Sequence, residues 1–196
     1  MGDATTEYYE RRAGEYDATS WEHPDWDARL TDQVRSVLSS LPATETLDVG
    51  CGTGYLSRWL PGQVTMMDTS ASMLGIARRR VPSARLVRAK APCLPFKDGA
   101  FTRTFTANLY GHLPGPERKV LVTEMLRVAS EVVVLDELAG SGIFSEGPEE
   151  RRLVDGSTFT IHKCHFTVDR LLAELGGGEV LMAGPVFAIV RRQPVF

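Results

Sequence analysis

A glycine-rich segment is the strongest chemical signal in the sequence, because its glycines alternate with other residues at the end of an apolar run. The segment reads Leu47-Asp48-Val49-Gly50-Cys51-Gly52-Thr53-Gly54. Alternate glycines remove β-carbons from a tight turn, so a ligand can lie against bare backbone while the free amides of a following helix face it. The pattern predicts a ligand-binding loop between a strand and a helix.

Two phosphate-binding loops share this design, and the spacing favours neither. The dinucleotide-binding fingerprint has a third glycine three positions after the second, where this chain has Tyr55. A nucleotide phosphate loop ends in Lys followed by Ser or Thr, and this ending is missing here. Phosphate binding is therefore the weaker interpretation. A plain strand-to-helix turn stays open as the structural alternative.

Asp68 closes the next apolar run, Val64-Thr65-Met66-Met67-Asp68. A carboxylate at the tip of a neighbouring strand can accept hydrogen bonds from both hydroxyls of a ribose. Together with the glycine loop, this carboxylate predicts a ligand that contains a nucleoside. In the structural alternative, Asp68 only caps a helix.

The elements that would position these residues follow from the apolar pattern. From residue 46 onward, short apolar runs alternate with helix-like stretches, which is typical of buried parallel strands joined by right-handed crossover helices. The predicted strands are 46–49, 64–68, 85–88, 101–107 and 131–136. The predicted helices between them are 55–60, 71–80 and 116–129.

The two ends of the chain have other patterns. Before the strands, a short helix over 5–16 and a longer one over 24–41 are predicted. After them, period-two alternation over 156–166, a helix over 167–175 and two final strands predict an antiparallel finish. The glycine-rich stretch 139–148 has no pattern and is predicted to be a mobile loop.

The composition predicts one soluble globular domain, with 43% hydrophobic and 24% charged residues in 196. A formal net charge of -3 leaves no excess of positive charge for nucleic acid or an anionic membrane. The three cysteines lack disulfide or zinc spacing, and the two ligands His162 and Cys164 are too few for a metal site. We therefore expect a cytoplasmic protein, monomeric or homodimeric, without a bound metal.

These residues resemble a known family, the class I S-adenosylmethionine-dependent methyltransferases, in particular small bacterial members related to the quinone-ring C-methyltransferases. The segment 48–54 looks like their first motif, and Asp68-Thr69-Ser70-Ala71-Ser72-Met73-Leu74 is similar to their acidic strand-end motif. Two further segments resemble the approach to the fourth strand and the helix before the fifth: Leu94-Pro95-Phe96 with Asp98-Gly99 and Phe101, and Leu126-Arg127-Val128. The resemblance spans roughly residues 8–192.

The resemblance implies a Rossmann-like α/β fold, with a seven-stranded, mostly parallel sheet, an antiparallel last strand and helices on both faces. It implies one methyltransferase domain over 1–196, with an N-terminal helical lid at 1–42 and a sheet core at 43–196. The implied activity is in-line transfer of a methyl group from S-adenosylmethionine to an oxygen, nitrogen or carbon atom of a small molecule or short peptide. S-adenosylhomocysteine is the product.

Two alternatives to this activity stay open. The same fold could act as a binding module or catalyse another reaction, since a fold does not fix a function. An NAD-dependent oxidoreductase is the second alternative, and Tyr55 in place of a glycine disfavours it.

The family's cofactor-binding positions carry over residue by residue onto this sequence. The predicted set is Asp48, Gly50, Cys51, Gly52, Thr53, Gly54, Asp68, Thr69, Met73, Lys90, Ala91, Asn108 and Tyr16. Within this set, glycine-loop residues would face the methionine moiety, Asp68 the ribose and Met73 the adenine. Asn108 would lie near the transferred methyl group, and Tyr16 resembles a residue of the N-terminal lid.

Two positions depart from the family's pattern. Lys90 stands where such proteins usually carry an acidic residue, and a cation cannot accept a hydrogen bond from the adenine amino group. Adenine contact would then depend on the backbone of Ala91 and on packing. Thr102 replaces an aspartate that usually follows the position of Phe101.

A sulfonium donor is already activated, so the protein mainly has to align the acceptor and exclude water. A base is needed only if the acceptor holds its proton at neutral pH. His112, just beyond the fourth predicted strand, is the candidate base, because an unperturbed histidine pKa of about 6.5 suits proton removal. The candidate substrate-binding residues are Tyr8, Tyr9 and Tyr110. For all four residues, a purely structural role is the alternative.

Overall fold

The computed structural model describes residues 4–21 and 27–193. The chain begins with two helices, α1 (Ala4–Arg12) and α2 (Ala28–Ser40). Strands and helices then alternate, in the order β1 (Thr44–Val49), β2 (Gly62–Asp68), α3 (Ala71–Arg80), β3 (Arg85–Arg88), β4 (Phe101–Ala107), α4 (Gly115–Val128) and β5 (Ala129–Glu137). The last elements are β6 (Ser145–Arg152), β7 (Thr158–His165), α5 (Val168–Leu175), β8 (Glu179–Ala183) and β9 (Phe187–Arg192).

Seven of these strands form one sheet, in the order β3-β2-β1-β4-β5-β9-β8. β1 to β5 run parallel, whereas β9 is antiparallel to its neighbours β5 and β8. The predicted seven-stranded sheet with an antiparallel last strand is therefore confirmed. Because the strand order reverses between β1 and β4, their carboxyl ends open a crevice, which is where sheets of this type bind ligands.

Helices cover both faces of the sheet, in agreement with the prediction. On one face, Leu121 of α4 and Leu171 of α5 pack in a buried apolar cluster that includes Val134 of β5. On the other face, Leu38 of α2 packs in a second cluster that includes Val133. Successive strand residues point to opposite faces, so burial of both faces explains why the strands are continuous apolar runs in the sequence.

β6 and β7 form a separate two-stranded antiparallel sheet that contacts α1. The prediction of a loop over 139–148 was wrong at its end, because the chain from Ser145 onward belongs to β6. This strand is rich in charged residues and contains Pro148, so apolar periodicity could not reveal it. A proline is tolerated here because β6 pairs with a strand on one side only.

The predicted helix over 55–60 was also wrong, because the structure has only a 3₁₀ turn at Ser57–Trp59. Six residues are too few for a stable α-helix unless packing supports one. The apolar side chains Leu56 and Leu60 instead fill the cluster beneath α2. The spacing that indicated a helix therefore reflects burial of this segment.

The N-terminal helices have shorter bounds than predicted. α1 ends at Arg12, and the chain continues in turns to residue 21. α2 begins after Asp27, whose Oδ1 accepts a hydrogen bond from Arg29 N at 2.9 Å. The predicted start of this helix at residue 24 lies outside the described residues. None of the helices in the described ranges combines the length and apolar character needed to cross a membrane.

Candidate active site

The glycine loop lies at the carboxyl end of β1 and is held against β2. The amides of Gly50 and Cys51 both donate to Met67 O, at 2.8 and 3.0 Å. Gly50 and Gly52 have φ angles of +73° and +54°, which disfavour residues with a β-carbon. A β-carbon on Gly50 would lie 2.8 Å from Leu109 Cδ2, whereas one on Gly52 would meet no atom within 4 Å. The loop therefore presents bare backbone to open space at Gly52.

Asp68 joins this loop to the start of α3. Its Oδ2 accepts from Gly52 N and its Oδ1 from Ser70 N, both at 2.9 Å. The cap of α3 is Ser70 rather than Asp68, because Ser70 Oγ accepts from Met73 N at 3.0 Å. Burial raises the pKa of Asp68 above its usual value. Each carboxylate oxygen can accept a further hydrogen bond from a ligand.

A cavity of about 440 Å³, here called the donor cavity, opens between this loop, the ends of the strands and α1. The structure brings most of the predicted site residues to its walls: Tyr9, Tyr16, Gly50, Gly52, Asp68, Thr69, Met73, Lys90, Ala91, Asn108 and His112. Its size is within the range of small-molecule sites. Sequence analysis missed the contributions of Thr5 and Thr6 from α1, because their small polar side chains gave no signal.

Four residues of the predicted cofactor-binding set do not line the donor cavity, and three of them, Asp48, Cys51 and Thr53, line a smaller cavity of about 30 Å³ that shares Tyr16 and Asn108 with it. Asp48 is buried and its Oδ2 accepts from Ser57 Oγ at 2.5 Å. Burial raises the pKa of Asp48 to about 7. The other three are Cys51, Thr53 and Gly54. A β-carbon on Gly54 would lie 3.4 Å from Ala77, so this glycine allows the loop to pack on α3.

The segment after α1 is tied to the underside of the loop. Thr53 Oγ1 donates to Asp17 Oδ1 at 2.7 Å, so this hydroxyl serves the protein and not the cavity. The second oxygen of Asp17 accepts from Arg80 Nη2 at 2.6 Å, and Arg80 Nη1 donates to Thr53 O at 2.9 Å. These bonds position the neighbouring Tyr16 at the cavity wall.

Asn108 stands at the end of β4 in a left-handed conformation, with φ of +55°. Its Oδ1 is inaccessible to solvent and has no hydrogen-bond partner among the described residues. Buried acceptors in proteins are normally satisfied, and both the strained backbone and the unpartnered oxygen occur here at the cavity wall.

His112 is hydrogen-bonded through both ring nitrogens. Its Nδ1 lies 2.9 Å from His162 O, and because a carbonyl can only accept, Nδ1 carries the proton. Its Nε2 therefore accepts from the hydroxyl of Tyr9 at 2.7 Å. Burial lowers the pKa of His112 to about 3, and burial raises that of Tyr9 well above its usual value. The lone pair of Nε2 is therefore engaged by Tyr9 and the low pKa makes the ring a weak proton acceptor, which disfavours His112 as a base.

A second cavity of about 530 Å³, here called the acceptor cavity, adjoins the donor cavity. The two share the residues Tyr9, Tyr16, Asn108 and His112. Further walls come from α1, from β6 and from the chain around residues 15–21: Tyr8, Arg12, Glu15, Thr19, Ser20, Trp21, Glu137, Arg151, Arg152, Val154 and Phe187. Tyr8 faces this second cavity and also packs on Leu153 and Ile161.

Tyr110 lies at neither cavity. It is fully buried, its hydroxyl donates to Glu174 Oε2 at 2.8 Å, and its ring packs beside Phe166. Burial raises its pKa, so the hydroxyl stays protonated as this hydrogen bond requires. The structure therefore favours the packing alternative for Tyr110.

Sequence analysis missed the arginines of the acceptor cavity. Arg12 lies on α1 one turn after Tyr8 and Tyr9, and this spacing could have identified a shared face. Arg151 and Arg152 belong to β6, so their position became visible only with that strand.

Glu146, His162 and Cys164 form the one cluster of potential metal ligands within the described ranges, with ligand atoms within 4.8 Å of one another. The guanidinium of Arg118 already occupies this place. Arg118 Nη1 donates to Glu146 Oε1 at 3.2 Å and to Cys164 Sγ at 2.9 Å. The acidic charge is therefore satisfied by a side chain, and we assign no metal to this cluster.

Part of the chain is similar to known methyltransferases. Residues 46–131 match the protein family described as "Methyltransferase domain". A malonyl-[acyl-carrier protein] O-methyltransferase of Serratia marcescens is 34% identical over 107 residues, which is 53% of this chain and 40% of that protein. A trans-aconitate 2-methyltransferase of Rhodopseudomonas palustris is 35% identical over 81 residues, 33% of this chain and 32% of that protein. These alignments thus cover less than half the length of either relative.

Solved structures match over nearly the whole chain. A "DhpI-SAM-HEP complex" has a TM-score of 0.82 and 22% identity, and covers 97% of this chain and 96% of that chain. A possible histamine N-methyltransferase of Thermotoga maritima has a TM-score of 0.66 and 17% identity, and covers 96% and 98%. At this identity, the structural matches establish the fold.

Proposed function

We propose that the chain is a class I S-adenosylmethionine-dependent methyltransferase that transfers a methyl group from S-adenosylmethionine to a small-molecule acceptor, and its matches to a methyltransferase domain, to curated methyltransferases and to solved structures of this fold support the proposal. One observation carries the proposal. The Asp68 carboxylate, the bare backbone of Gly52 and the side chain of Met73 line one cavity. Together they suit a ligand with ribose hydroxyls, a close backbone contact and an apolar group.

The residues of the donor cavity divide the binding of the donor among them. Asp68 would accept from the ribose hydroxyls while it holds the loop amide at Gly52. Met73 and the backbone of Ala91 would contact the adenine, with Thr69 and Lys90 at the outer edge of the cavity. Asp48, Cys51, Thr53 and Gly54, which do not line the donor cavity, would shape the glycine loop and need not contact the donor. When bound, the donor supplies a methyl group that its sulfonium has already activated.

The junction between the two cavities would align the acceptor. Asn108 lines both cavities there, and Tyr9 and Tyr16 supply aromatic walls that exclude water. His112 would fix the direction of the Tyr9 hydroxyl and would not remove a proton, because its Nε2 already accepts from that hydroxyl. Positioning and desolvation would then account for catalysis.

Calorimetric titration with S-adenosylhomocysteine and with NAD tests the proposal. We expect S-adenosylhomocysteine to bind and Asp68→Ala to weaken its binding at least tenfold, about 1.4 kcal/mol, because the ribose contacts are lost. Asp98→Ala is the matched control, since this carboxylate is exposed and pairs with Arg127 outside both cavities. Tight binding of NAD alone, or an unchanged dissociation constant for Asp68→Ala, would contradict the proposal.

A further inference from the structure

The acceptor cavity carries an excess of positive charge. Three arginines line it, Arg12 from α1 and Arg151 and Arg152 from β6, together with two acids, Glu15 and Glu137. Burial is the main cause of the lowered pKa of His112 at the junction with the donor cavity. The positive charges of Arg12 and Arg151 lower this pKa further, which indicates a positive potential at the junction.

The two acids in this cavity are already engaged by other groups. Both carboxylate oxygens of Glu15 accept from Val154 N at 3.2 Å. Glu137 Oε1 lies 3.2 Å from the buried Nζ of Lys163, and its Oε2 lies 3.4 Å from His165 Nε2. Glu137 is therefore paired with Lys163, whereas the charge of Glu15 is not neutralised by the amide and offsets part of the arginine charge in the cavity.

Two of the three arginines, Arg12 and Arg152, form no ion pair with a residue in the described ranges, and the guanidinium of Arg12 lies over the rings of Tyr8 and Tyr16. Within residues 4–21 and 27–193, Arg12 donates only to neutral oxygens, among them Thr19 Oγ1 at 3.1 Å and Ser20 Oγ at 2.9 Å. Arg152 forms no ion pair with a residue in those ranges, whereas Arg151 Nη2 lies 2.6 Å from Glu149 Oε2. Guanidinium groups bind carboxylate and phosphate-type oxygens particularly well, because their donors form a planar fork.

The junction between the cavities offers no group that could deprotonate an acceptor. Of the four shared residues, Asn108 has no basic atom, and the pKa values of Tyr9 and Tyr16 are raised by burial, that of Tyr16 to about 12. The Nε2 of His112 already accepts from Tyr9. An acceptor that arrives already deprotonated would need no base.

We propose that the acceptor is a small organic oxyanion, a carboxylate or a phosphonate, held in the acceptor cavity by Arg12, Arg151 and Arg152 and methylated on oxygen at the junction. Trp21 and Phe187 give the cavity an apolar wall for the carbon skeleton of the acid. This inference rests on the proposed methyl transfer. A lone pair of the acid oxygen forms the new O–C bond, the S–C bond breaks, and its electron pair stays on sulfur. The products are an ester and a neutral thioether, and no proton moves.

Methyl-labelled S-adenosylmethionine and a deproteinised cell extract, incubated with the full chain, test this proposal. Label in a carboxylic ester is released as methanol by mild alkali, whereas label in a phosphonate monoester resists mild alkali and stays on an anion. Either result supports the proposal and identifies the acid. Label attached to nitrogen or carbon would overturn it and leave the proposed methyl transfer standing. Failure to bind S-adenosylhomocysteine would instead contradict the proposed function.

Arginine variants provide an independent test with the labelled product as readout. We expect Arg12→Gln and Arg152→Gln each to lower kcat/KM for the acid at least tenfold and to leave S-adenosylhomocysteine binding within twofold. Arg12→Lys, which keeps the charge, should recover part of the loss. Arg11→Gln is the matched control, because Arg11 precedes Arg12 on α1 but pairs with Asp155 at 2.8 Å outside the cavity. Equal behaviour of Arg11→Gln and Arg12→Gln would overturn the proposal.

Discussion

The hydrogen bonds of His112 decide what this side chain can do. A histidine with a free Nε2 and an ordinary pKa could accept a proton at neutral pH. Here Nε2 accepts from Tyr9, and burial lowers the pKa to about 3. The residue therefore stays neutral and orients its neighbour, a role that the sequence could not distinguish from that of a base.

The lowered pKa of His112 predicts a loss of stability in acid. In the unfolded chain His112 binds a proton below about pH 6.5, whereas in the folded chain it binds one only near pH 3. The free energy of unfolding therefore falls as pH falls through this window. We expect the free energy of unfolding of the native chain, measured with urea, to fall by up to about 1.4 kcal/mol per pH unit relative to that of His112→Gln. His165→Gln, at a partly exposed histidine, is the control. A difference that stays constant with pH would contradict the assignment.

Asp48 predicts the opposite pH dependence. Its pKa of about 7 in the folded chain lies above the value of about 3.8 expected when unfolded, so the penalty for its charge grows as pH rises through this window. Asp48→Asn keeps an acceptor for Ser57 Oγ and should stabilise the protein at pH 8 by up to about 4 kcal/mol, with little effect at pH 4. Urea unfolding at both pH values measures this. Asp98→Asn, at an exposed carboxylate, should show no such trend.

At the residue scale, the sequence patterns predicted the residues that line the donor cavity better than the directions of the side chains within the glycine loop. Gly52 and Asp68 could be located because backbone access and strand-end position are encoded in residue type and spacing. Thr53 and Cys51 could not be excluded, because the direction of a side chain within a tight turn depends on contacts such as Thr53 to Asp17.

At the scale of elements, one buried guanidinium joins α4, α5 and β6. Arg118 donates to Glu174 Oε2 at 2.8 Å and Oε1 at 3.1 Å, to Glu146 Oε2 at 3.2 Å, and to Leu113 O at 2.8 Å. Arg170 also pairs with Glu174 Oε1 at 2.7 Å, so two guanidinium groups balance the two carboxylates and burial of Arg118 is compensated. Arg118 is therefore one of the side chains that hold the β6–β7 hairpin, together with His112, which contacts His162 O, and Glu137, which pairs with Lys163.

Removal of the Arg118 side chain should lower the stability of the protein. We expect Arg118→Met to lower the free energy of unfolding by about 3 kcal/mol, because Glu146 and Glu174 both lose the buried guanidinium while Glu174 keeps the half-exposed Arg170 and the Tyr110 hydroxyl. Arg35→Met, which breaks the exposed pair with Asp32 on α2, should cost under about 1 kcal/mol. Urea unfolding compares the two, and similar losses would show that the buried network contributes little.

The predictability of the elements follows their burial. The strands β1, β2, β4 and β5 contain residues buried on both faces, so their apolar runs located them within two residues, and the half-buried edge strand β3 was located equally well. β6 lies outside the sheet with charged residues on both sides, and no local pattern marks such a strand. The segment around Ser57–Trp59 was predicted to be a helix from its apolar spacing, but the structure has only a 3₁₀ turn there. The apolar spacing reflects burial of the segment.

At the scale of the whole molecule, the N-terminal chain connects the two cavities to the loop. Thr5, Tyr9 and Tyr16 line the donor cavity, and Asp17 binds the loop from below through Thr53 and Arg80. The order of the main sheet was predictable from the sequence and its resemblance, but this connection was not, because it depends on pairs of residues far apart in the chain.

The connection predicts that Asp17 affects binding from a distance. We expect Asp17→Ala to weaken S-adenosylhomocysteine binding several-fold and to lower the protection of residues 4–21 in hydrogen exchange, because the segment loses its attachment to the loop. Asp155→Ala breaks the ion pair with Arg11, which ties α1 to the hairpin, and serves as the control. Equal affinity in both variants would mean that the Asp17 contacts are only structural.

The separate β6–β7 sheet has an evolutionary consequence. It gives Arg151 and Arg152 to the acceptor cavity but only His162 to the donor cavity, and it shares no strand with the main sheet. On the proposed function, changes of sequence in this hairpin alter which acceptor is recognised and leave the residues proposed to bind the methyl donor unchanged. Exchange of the hairpin between related chains is therefore expected to transfer acceptor selectivity.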